Sequence, residues 1–383
     1  MNILFLTKYY PPSVGGIERY SHLLCTGLVQ RRHNVEVIAF SDENSEARTE
    51  IVDGVTVHRL KRHINLARAP LSLTLPARLR QATADCDVVH LNFPNPWMEL
   101  MYLALHPQIP TVLSYHSDIL RKHPFQRIYM PFAHRLFQRV SAVIASSPAY
   151  AASSELLTRF GHLCHTIPYP VDIDRMQAVQ DGEIAAARKR HGRFVLFCGR
   201  LVHYKGIEYL VEAISQLNDV RLVIAGTGPE QAKCRQAIVS LGLEDRVDLV
   251  GKIDDDELKA LYHACECFVL PSISRAESFG IVLAEAMACG RPVISTDIGS
   301  GTSHINIDGE TGYVVPPRDA KALAAAIARV VGDVDIQRQL GSSARRRAET
   351  SFGTDTILDQ TIQLYDEIVA DDRQTGASAR SLG

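Results

Sequence analysis

Residues 1–33 read MNILFLTKYYPPSVGGIERYSHLLCTGLVQRRH. An apolar strand from Ile3 to Thr7 runs into a loop with two prolines and two glycines. A helical pattern follows, with Ile17, Tyr20, Leu23, Leu24 and Leu28 on one face. Strand, glycine turn and helix open many nucleotide-binding domains. Here, however, Gly15 stands eight residues beyond Thr7, and no G-x-G-x-x-G passes through it. The dinucleotide fingerprint is absent, which disfavours a nicotinamide oxidoreductase.

The same alternation continues along the chain. Short apolar runs at NILFLT, NVEVIAF, VTVHRL, DVVHLN, TVLSYH, AVIASS and CHTIPY make one series of strands. A second series is FVLFCG, VRLVIAG, RVDLVG, CFVLPS, PVIST and GYVVPP. Helical patterns such as IEYLVEAISQL, DDELKALYHAC and DAKALAAAIARVVGD lie between them. Apolar strands alternating with helices predict parallel sheets covered on both faces, and two such series predict two doubly wound α/β domains. The joint falls at IPYPVDIDRM, where Pro168 and Pro170 restrict the chain. The expected division is 1–170, 171–352, an amphipathic helix over 353–372 packing back on the first domain, and a disordered tail over 373–383.

The totals exclude several classes. With 46% hydrophobic and 22% charged residues, the 383-residue chain is a globular protein and not a disordered one. A formal charge of −2 gives no pull towards nucleic acid. The eight cysteines stand singly apart from Cys265-x-Cys267 and read as small buried thiols of a reducing cytosol. The opening apolar run of four residues ends at prolines, too short for a secretory signal. No stretch approaches the roughly 18 apolar residues of a membrane span. The expectation is a cytoplasmic protein, peripheral at the inner face of the membrane.

In open parallel sheets, ligands bind beyond the carboxyl ends of the strands. In FVLFCGRLVHYKG, Arg200 and Lys205 lie on a loop bounded by Gly199 and Gly206. A planar fork and a point charge suit a pyrophosphate; a solvated basic loop is the alternative. In VIAGTGPE, Gly226 opens a turn that allows backbone to approach a flat ligand edge, or simply makes a tight turn. Lys252 and Ile253, after RVDLVG, offer backbone groups to a base. In PSISRAESFGIVLAEAMACG a helix starts near Gly280, and the free N–H groups of a first turn form an anion site. Gly280 is read as removing a side chain that would block a phosphate. Glu277 precedes the helix and Glu285 lies inside it; both either meet sugar hydroxyls or simply favour the helix dipole.

Together these stretches resemble the retaining glycosyltransferases of family 4, which have two facing Rossmann-like domains, the GT-B architecture. The resemblance runs from GGIERY through GRLVHYKG and AGTGPE to the E-x7-E element ESFGIVLAEAMACGRPVIST. It implies an interdomain cleft, with Arg200 and Lys205 on the donor diphosphate, Glu277 on the donor sugar and Glu285 on the ribose. The backbone of Phe279, Gly280, Ile281 and Val282 would meet phosphates and nucleoside. It also answers the opening glycine pair: Gly15 and Gly16 would lie under the sugar diphosphate, near the distal phosphate and acceptor, where no third glycine is needed. Glu18, in the following helix, is then either a first-turn dipole carboxylate or an acceptor contact.

The other first-half element is TVLSYHSD. His116 ends a strand and by resemblance meets the donor sugar through ring or backbone; Asp118 orients that imidazole or caps the next turn. Catalytic weight is expected on His116, Glu277, Arg200 and Lys205. LRKHPFQRIYMPFAHRLFQR mixes Arg121, Lys122, Arg127, Arg135 and Arg139 with aromatics, as in family members that act on lipid-linked acceptors. Such a stretch suits an anionic leaflet, or is a solvated helix face. Arg121 and Lys122 are also acceptor-side candidates, and Arg59, Arg62, Arg68, Arg78 and Arg80 add basic character.

The implied reaction is hexosyl transfer with retention of configuration, without cofactor or metal. The carboxylate pairs at Asp85-x-Asp87, Asp172-x-Asp174 and Asp254-Asp255-Asp256 are not placed beside the diphosphate. After PVIST, many relatives carry a glycine–proline–glutamate turn, whereas this chain reads DIGSGTSHINIDGETGYVVPP. That resembles bacterial mannosyl- and rhamnosyl-type transferases of surface-polysaccharide synthesis, which implies a GDP-linked donor and a saccharide or lipid-linked acceptor. A nucleotide-sugar epimerase of the same architecture and a non-catalytic nucleotide-sugar-binding protein are the alternatives.

Overall fold

The computed structural model describes residues 1–13, 15–41, 45–66, 69–105, 107–118 and 126–381. The chain divides into two compact units. One comprises Met1–Ser146, Ala151–Pro170 and Thr354–Gly383; the other comprises Ser147–Tyr150 and Val171–Gly353.

The first unit holds β1 (Asn2–Leu6), β2 (Asn34–Phe40), β3 (Arg48–Val52), β4 (Val55–Leu60), β5 (Ile64–Leu66), β6 (Ala69–Leu71), β7 (Val88–Phe93), β8 (Thr111–Tyr115), β9 (Ala142–Ala145) and β10 (Cys164–Thr166). Its main sheet has the order β10-β9-β8-β7-β1-β2-β4-β3. All neighbours are parallel except β3 and β4, which form an antiparallel hairpin. Asp53 and Gly54, both at positive φ, make its two-residue turn. β3 and the small β5–β6 hairpin are elements that the apolar-run pattern does not contain, since Arg48, Thr49 and Ile51 of β3 are exposed. The apolar runs of β1, β7 and β8 are buried on both faces, as parallel strands under two helical layers must be.

The last helix, Thr354–Ser381, belongs to this unit. It packs on the helix Gly16–Gln30, where a Cβ at Gly27 would run into Leu358. Arg31 pairs with Asp355 at 2.7 Å, and the Tyr365 hydroxyl meets His90 Nδ1 inside the unit. The helix continues through 373–381, expected as disordered tail. No proline interrupts residues 354–381, and the one glycine there, Gly376, weakens a helix without ending it. The remaining tail residues, 382–383, lie outside the described residues.

The second unit carries β11 (Phe194–Cys198), β12 (Arg221–Ala225), β13 (Val247–Gly251), β14 (Cys267–Leu270), β15 (Val293–Thr296) and β16 (Gly312–Val315). The order is β13-β12-β11-β14-β15-β16, parallel throughout. Strand order reverses between β11 and β14 here, and between β1 and β7 in the first unit. In each sheet the connections leaving the two central strands diverge to opposite sides and open a crevice at their carboxyl ends. Among the described residues, no helix is long and apolar enough to cross a membrane.

Candidate active site

In the second unit two loops leave the reversal point side by side. The first follows β11. Gly199 sits at φ +146 and donates its N–H to Ala225 O at 2.9 Å; Leu201 N–H donates to Thr227 O at 2.9 Å. A 3-10 turn at His203–Lys205 ends on Gly206 in the left-handed region, φ +64, where a Cβ would strike Pro271 O. The second loop follows β14 from Pro271 and is stitched to the first by Ile273 N–H donating to Tyr204 O at 2.8 Å.

That stitching buries an ion pair. Lys205 Nζ bonds Glu277 Oε2, and Ser272 Oγ donates to the same oxygen at 3.1 Å. Residue exposure is 7% for Lys205 and 8% for Glu277. Burial pulls the Lys205 ammonium down, but the Glu277 charge and the Tyr204 hydroxyl outweigh it and leave the group raised. Lys205 is therefore a fixed cation at the crevice. Arg200, on the same loop, is exposed.

The helix Ile281–Ala288 begins beside this pair with Gly280 as its cap at φ +87. Gly280 is buried, and its missing side chain would point at Leu270, Leu283 and Thr302, at 3.1 to 3.3 Å. The glycine answers a backbone need and close packing, which corrects the reading that it clears space for a phosphate. Ile281 and Val282, half-buried, form the first turn. The Phe279 side chain packs edge-on against Phe352 at 6.0 Å. Glu285 is buried and accepts from the Tyr262 hydroxyl at 3.1 Å. Gly301 donates its N–H to Ser278 O at 2.9 Å, so the GSGT turn leans directly on the loop that carries Glu277. Arg347 holds that turn from behind, donating to His304 O at 2.6 Å and Ile305 O at 3.0 Å.

Gly226, with Gly228 beside it, takes the tight-turn alternative rather than the approach to a ligand edge. A Cβ on either would collide with Gly199 O or Leu201 O. These glycines let two protein backbones approach each other rather than a ligand. Lys252 is exposed and Ile253 half-buried after Gly251.

In the first unit Gly15 is extended at φ 173, and the Glu18 carboxylate folds back against it. Burial raises the Glu18 carboxyl above its usual range. Gly16 starts its helix with open space where a Cβ would stand. His116 is 3% exposed and turns its ring inward. Nδ1 meets the Tyr169 hydroxyl, and Nε2 bonds Asn92 Oδ1 at 2.9 Å. Asn92 Nδ2 in turn donates to Ser21 Oγ at 2.8 Å and Thr7 Oγ1 at 3.0 Å. Burial pushes the imidazole down to about 3, so it is neutral. A catalytic ring at His116 is thus corrected to one engaged within the fold. The Asp118 carboxylate accepts from Ser154 Oγ at 2.7 Å and Tyr115 OH at 2.8 Å.

Arg121 and Lys122 lie outside the described residues, as do Arg68 and the side chain of Arg127. Arg135 and Arg139 are exposed and line a groove of about 530 Å³ with Leu100, Leu103 and Phe132. Three other arginines leave the basic surface expected of them. Arg59 is buried, Arg62 lies over the Tyr9 ring at 5.9 Å, and Arg78 pairs with Glu36 at 3.2 Å. Arg80 is exposed.

The acidic pairs have structural roles. Asp254 and Asp172 cap helices, accepting from Glu257 N–H at 2.8 Å and Arg175 N–H at 3.0 Å, and Asp87 accepts Asn2 N–H at 2.7 Å. Among the described residues one trio, His203, Glu208 and Glu230, has the spacing to hold a metal ion. Both of its carboxylates already face the Lys233 ammonium. All eight cysteines are free.

Comparison with known proteins gives the family and the fold. Residues 183–347 match the family Glycosyl transferases group 1, and residues 14–175 match Glycosyltransferase Family 4. The chain is 33% identical to O-antigen chain mannosyltransferase C of Escherichia coli, over 95% of this chain and 98% of that protein. It is 34% identical to D-rhamnosyltransferase WbpZ of Pseudomonas aeruginosa, over 91% of each. The chain belongs to the group 1, family 4 glycosyltransferases and is a glycosyltransferase enzyme of GT-B architecture. Among solved structures, sucrose-phosphate synthase from Thermosynechococcus elongatus superposes with a TM-score of 0.80 at 26% identity, covering 97% of this chain and 99% of that one. HepE of Anabaena in complex with UDP gives 0.79 at 23% identity, covering 96% and 100%, which speaks to the fold.

Proposed function

We propose that the protein transfers a mannosyl or deoxymannosyl residue from a GDP-linked donor to a hydroxyl of a saccharide or lipid-linked saccharide in cell-surface polysaccharide synthesis. The observation that carries this reading is the buried Lys205–Glu277 pair at the strand-order reversal, beside the start of the Ile281–Ala288 helix. A fixed cation, a carboxylate and a helix N-terminus at one crevice suit a sugar diphosphate. The two relatives named for mannose and D-rhamnose transfer support the sugar.

In this reading the second unit holds the donor and the first receives the acceptor. Arg200, Lys205 and the backbone of Ile281 and Val282 take the diphosphate, Glu277 the sugar and Glu285 the ribose. Gly15 and Gly16 are the first unit's contribution to donor binding. The glycosidic C–O bond to the diphosphate breaks as the acceptor oxygen bonds the anomeric carbon on the same face. The acceptor proton passes to the leaving diphosphate oxygen, so configuration is retained. The protein contributes position and stabilisation of the developing negative charge. No metal takes part, and activity persists in EDTA. Arg135, Arg139, Leu100 and Phe132 would rest the first unit on an anionic leaflet that bears the acceptor.

A thermal-shift panel of GDP, UDP, ADP and their sugars tests the donor, because a ligand bound only by the folded state raises Tm. GDP and GDP-mannose should give the largest rises. A larger rise with UDP or ADP compounds would overturn the GDP assignment. Loss of the α configuration in the product by NMR would overturn retention.

A further inference from the structure

The loop from Lys8 to Ser13 leads to Gly15 and Gly16 and is short of its own donors, because Pro11 and Pro12 have no N–H. One turn bond is its own, Ser13 N–H donating to Tyr10 O at 3.3 Å, and further bonds come from outside. Phe40 N–H donates to Lys8 O at 3.1 Å. Beyond that, two successive carbonyls are taken by one guanidinium: Arg59 on β4 donates from Nη1 to Tyr10 O at 3.2 Å and from Nη2 to Pro11 O. Its Nε donates to Glu50 Oε1 on β3, and Glu50 Oε2 accepts from Arg48 Nε at 2.8 Å. These hydrogen bonds from Arg48 and Arg59 hold the Glu50 carboxyl below its usual range, so it stays an anion.

Arg59 is 2% exposed. Removing a guanidinium from water is costly, and an apolar side chain would fill β4 more cheaply. What an apolar side chain or a lysine lacks is a planar fork that spans two adjacent carbonyls. β3 otherwise presents an exposed edge, and its half-buried Glu50 carboxylate reaches Arg59. The sheet edge thus reaches through Glu50 and Arg59 to the loop that sets the start of the Gly16–Gln30 helix.

We propose that Arg59, locked by Glu50, is a positioning residue for glycosyl transfer: it fixes the Tyr10 and Pro11 carbonyls and so sets where Gly15 and Gly16 meet the sugar diphosphate. The inference rests on the assignment of that glycine pair to the donor.

The test compares full-length Arg59→Ala, Arg59→Lys and Gly16→Ala with the parent chain. In Arg59→Ala, amide hydrogen exchange over residues 8–13 should quicken roughly tenfold or more as the loop opens locally. GDP release from GDP-mannose with acceptor should fall by up to about 100-fold, the scale of an ångström of misplacement, with the loss in kcat. The Kd for GDP itself should weaken by far less than turnover falls. Arg59→Lys, which keeps charge but not the fork, should recover only part of the rate. Should Arg59→Ala not fold, the same comparison is read on Arg59→Lys and Glu50→Gln. Parent-like exchange, parent-like turnover, or an equal loss of GDP binding overturns the clamp. If Gly16→Ala lowers turnover while Arg59→Ala does not, only the clamp falls; if neither does, the glycine assignment falls with it.

Discussion

Lys205 Nζ and Glu277 Oε2 are joined across two loops that leave neighbouring strands, and their side chains are only 9% and 11% exposed. Each charge is the other's main compensation. In the proposed reading, a donor diphosphate competes with Glu277 for the lysine.

That competition gives opposite expectations for the two partners. Glu277→Gln removes the competing anion, so GDP should bind several-fold more tightly while transfer falls by about 100-fold or more, the scale of a lost transition-state contact. Lys205→Ala strands the carboxylate in a buried site. GDP affinity should fall at least about tenfold, and stability by on the order of 3–5 kcal/mol. Calorimetric titration and urea denaturation check both. Equal weakening of GDP in the two variants would make the pair a structural brace only.

Two glycines differ in what an added side chain would meet. At Gly16 a methyl meets nothing within 4 Å, so Gly16→Ala should leave the fold intact and raise stability by up to about 1 kcal/mol through helix propensity. If a phosphate approaches that backbone, turnover nonetheless drops. At Gly301 a methyl would lie 2.6 Å from Ser278 O and 2.8 Å from the Phe279 Cα. Gly301→Ala must push back the loop behind Glu277, costing about 1–3 kcal/mol and most of the activity. Denaturation midpoints beside initial rates decide it; Gly16→Ala at full rate refutes the first half.

These positions also show what a one-dimensional reading holds. The apolar runs at β1, β11 and β14 became strands because a parallel strand buried on both faces needs a hydrophobic stretch. β3 escaped because RTEIV is exposed at most of its positions, although the Asp53-Gly54 turn beside it marks a hairpin. Lys205 and Glu277 were legible as residue types at strand ends. Tyr262 was not, since LYHAC fits a buried helix face whether or not its hydroxyl meets Glu285. His116 shows the limit most clearly. A strand end places the backbone at the crevice, but the side-chain torsion, set here by Asn92 and Tyr169, decides where the ring goes. Arg59 was counted with surface arginines because no local pattern reveals two carbonyls 48 and 49 residues away.

The His116 ring carries its proton on Nε2, donating to Asn92 Oδ1, while Nδ1 accepts from Tyr169. With burial holding it near 3, the kcat/KM profile between about pH 5 and 8 should contain no step from this residue. Asn92→Asp places an anion against Nε2 and should lift the imidazole by a unit or more, since a nearby opposite charge favours the protonated form. NMR titration of the ring reads this directly. A ring in the parent protein that already titrates near 6.5 would contradict its inward placement.

Glu99, on the helix Pro96–Leu105, is 2% exposed and accepts from the Tyr129 hydroxyl and Asn95 N–H. Burial pushes its carboxyl up to about 7, with the two hydrogen bonds opposing. The folded value lies above the unfolded one near 4.5, so the folded state holds its proton longer. Below about pH 4.5 both states are protonated and the group is neutral in the balance. Between 4.5 and 7 the unfolded chain ionises first, and stability falls as pH rises, levelling off above 7 after a loss on the order of 3 kcal/mol. Glu99→Gln cannot ionise. Its stability relative to the parent should therefore improve from pH 5 to pH 8 by about that amount, measured by urea denaturation at each pH. The same difference at both values would mean that Glu99 is ionised in the folded protein at pH 5, with Tyr129 and Asn95 outweighing its burial.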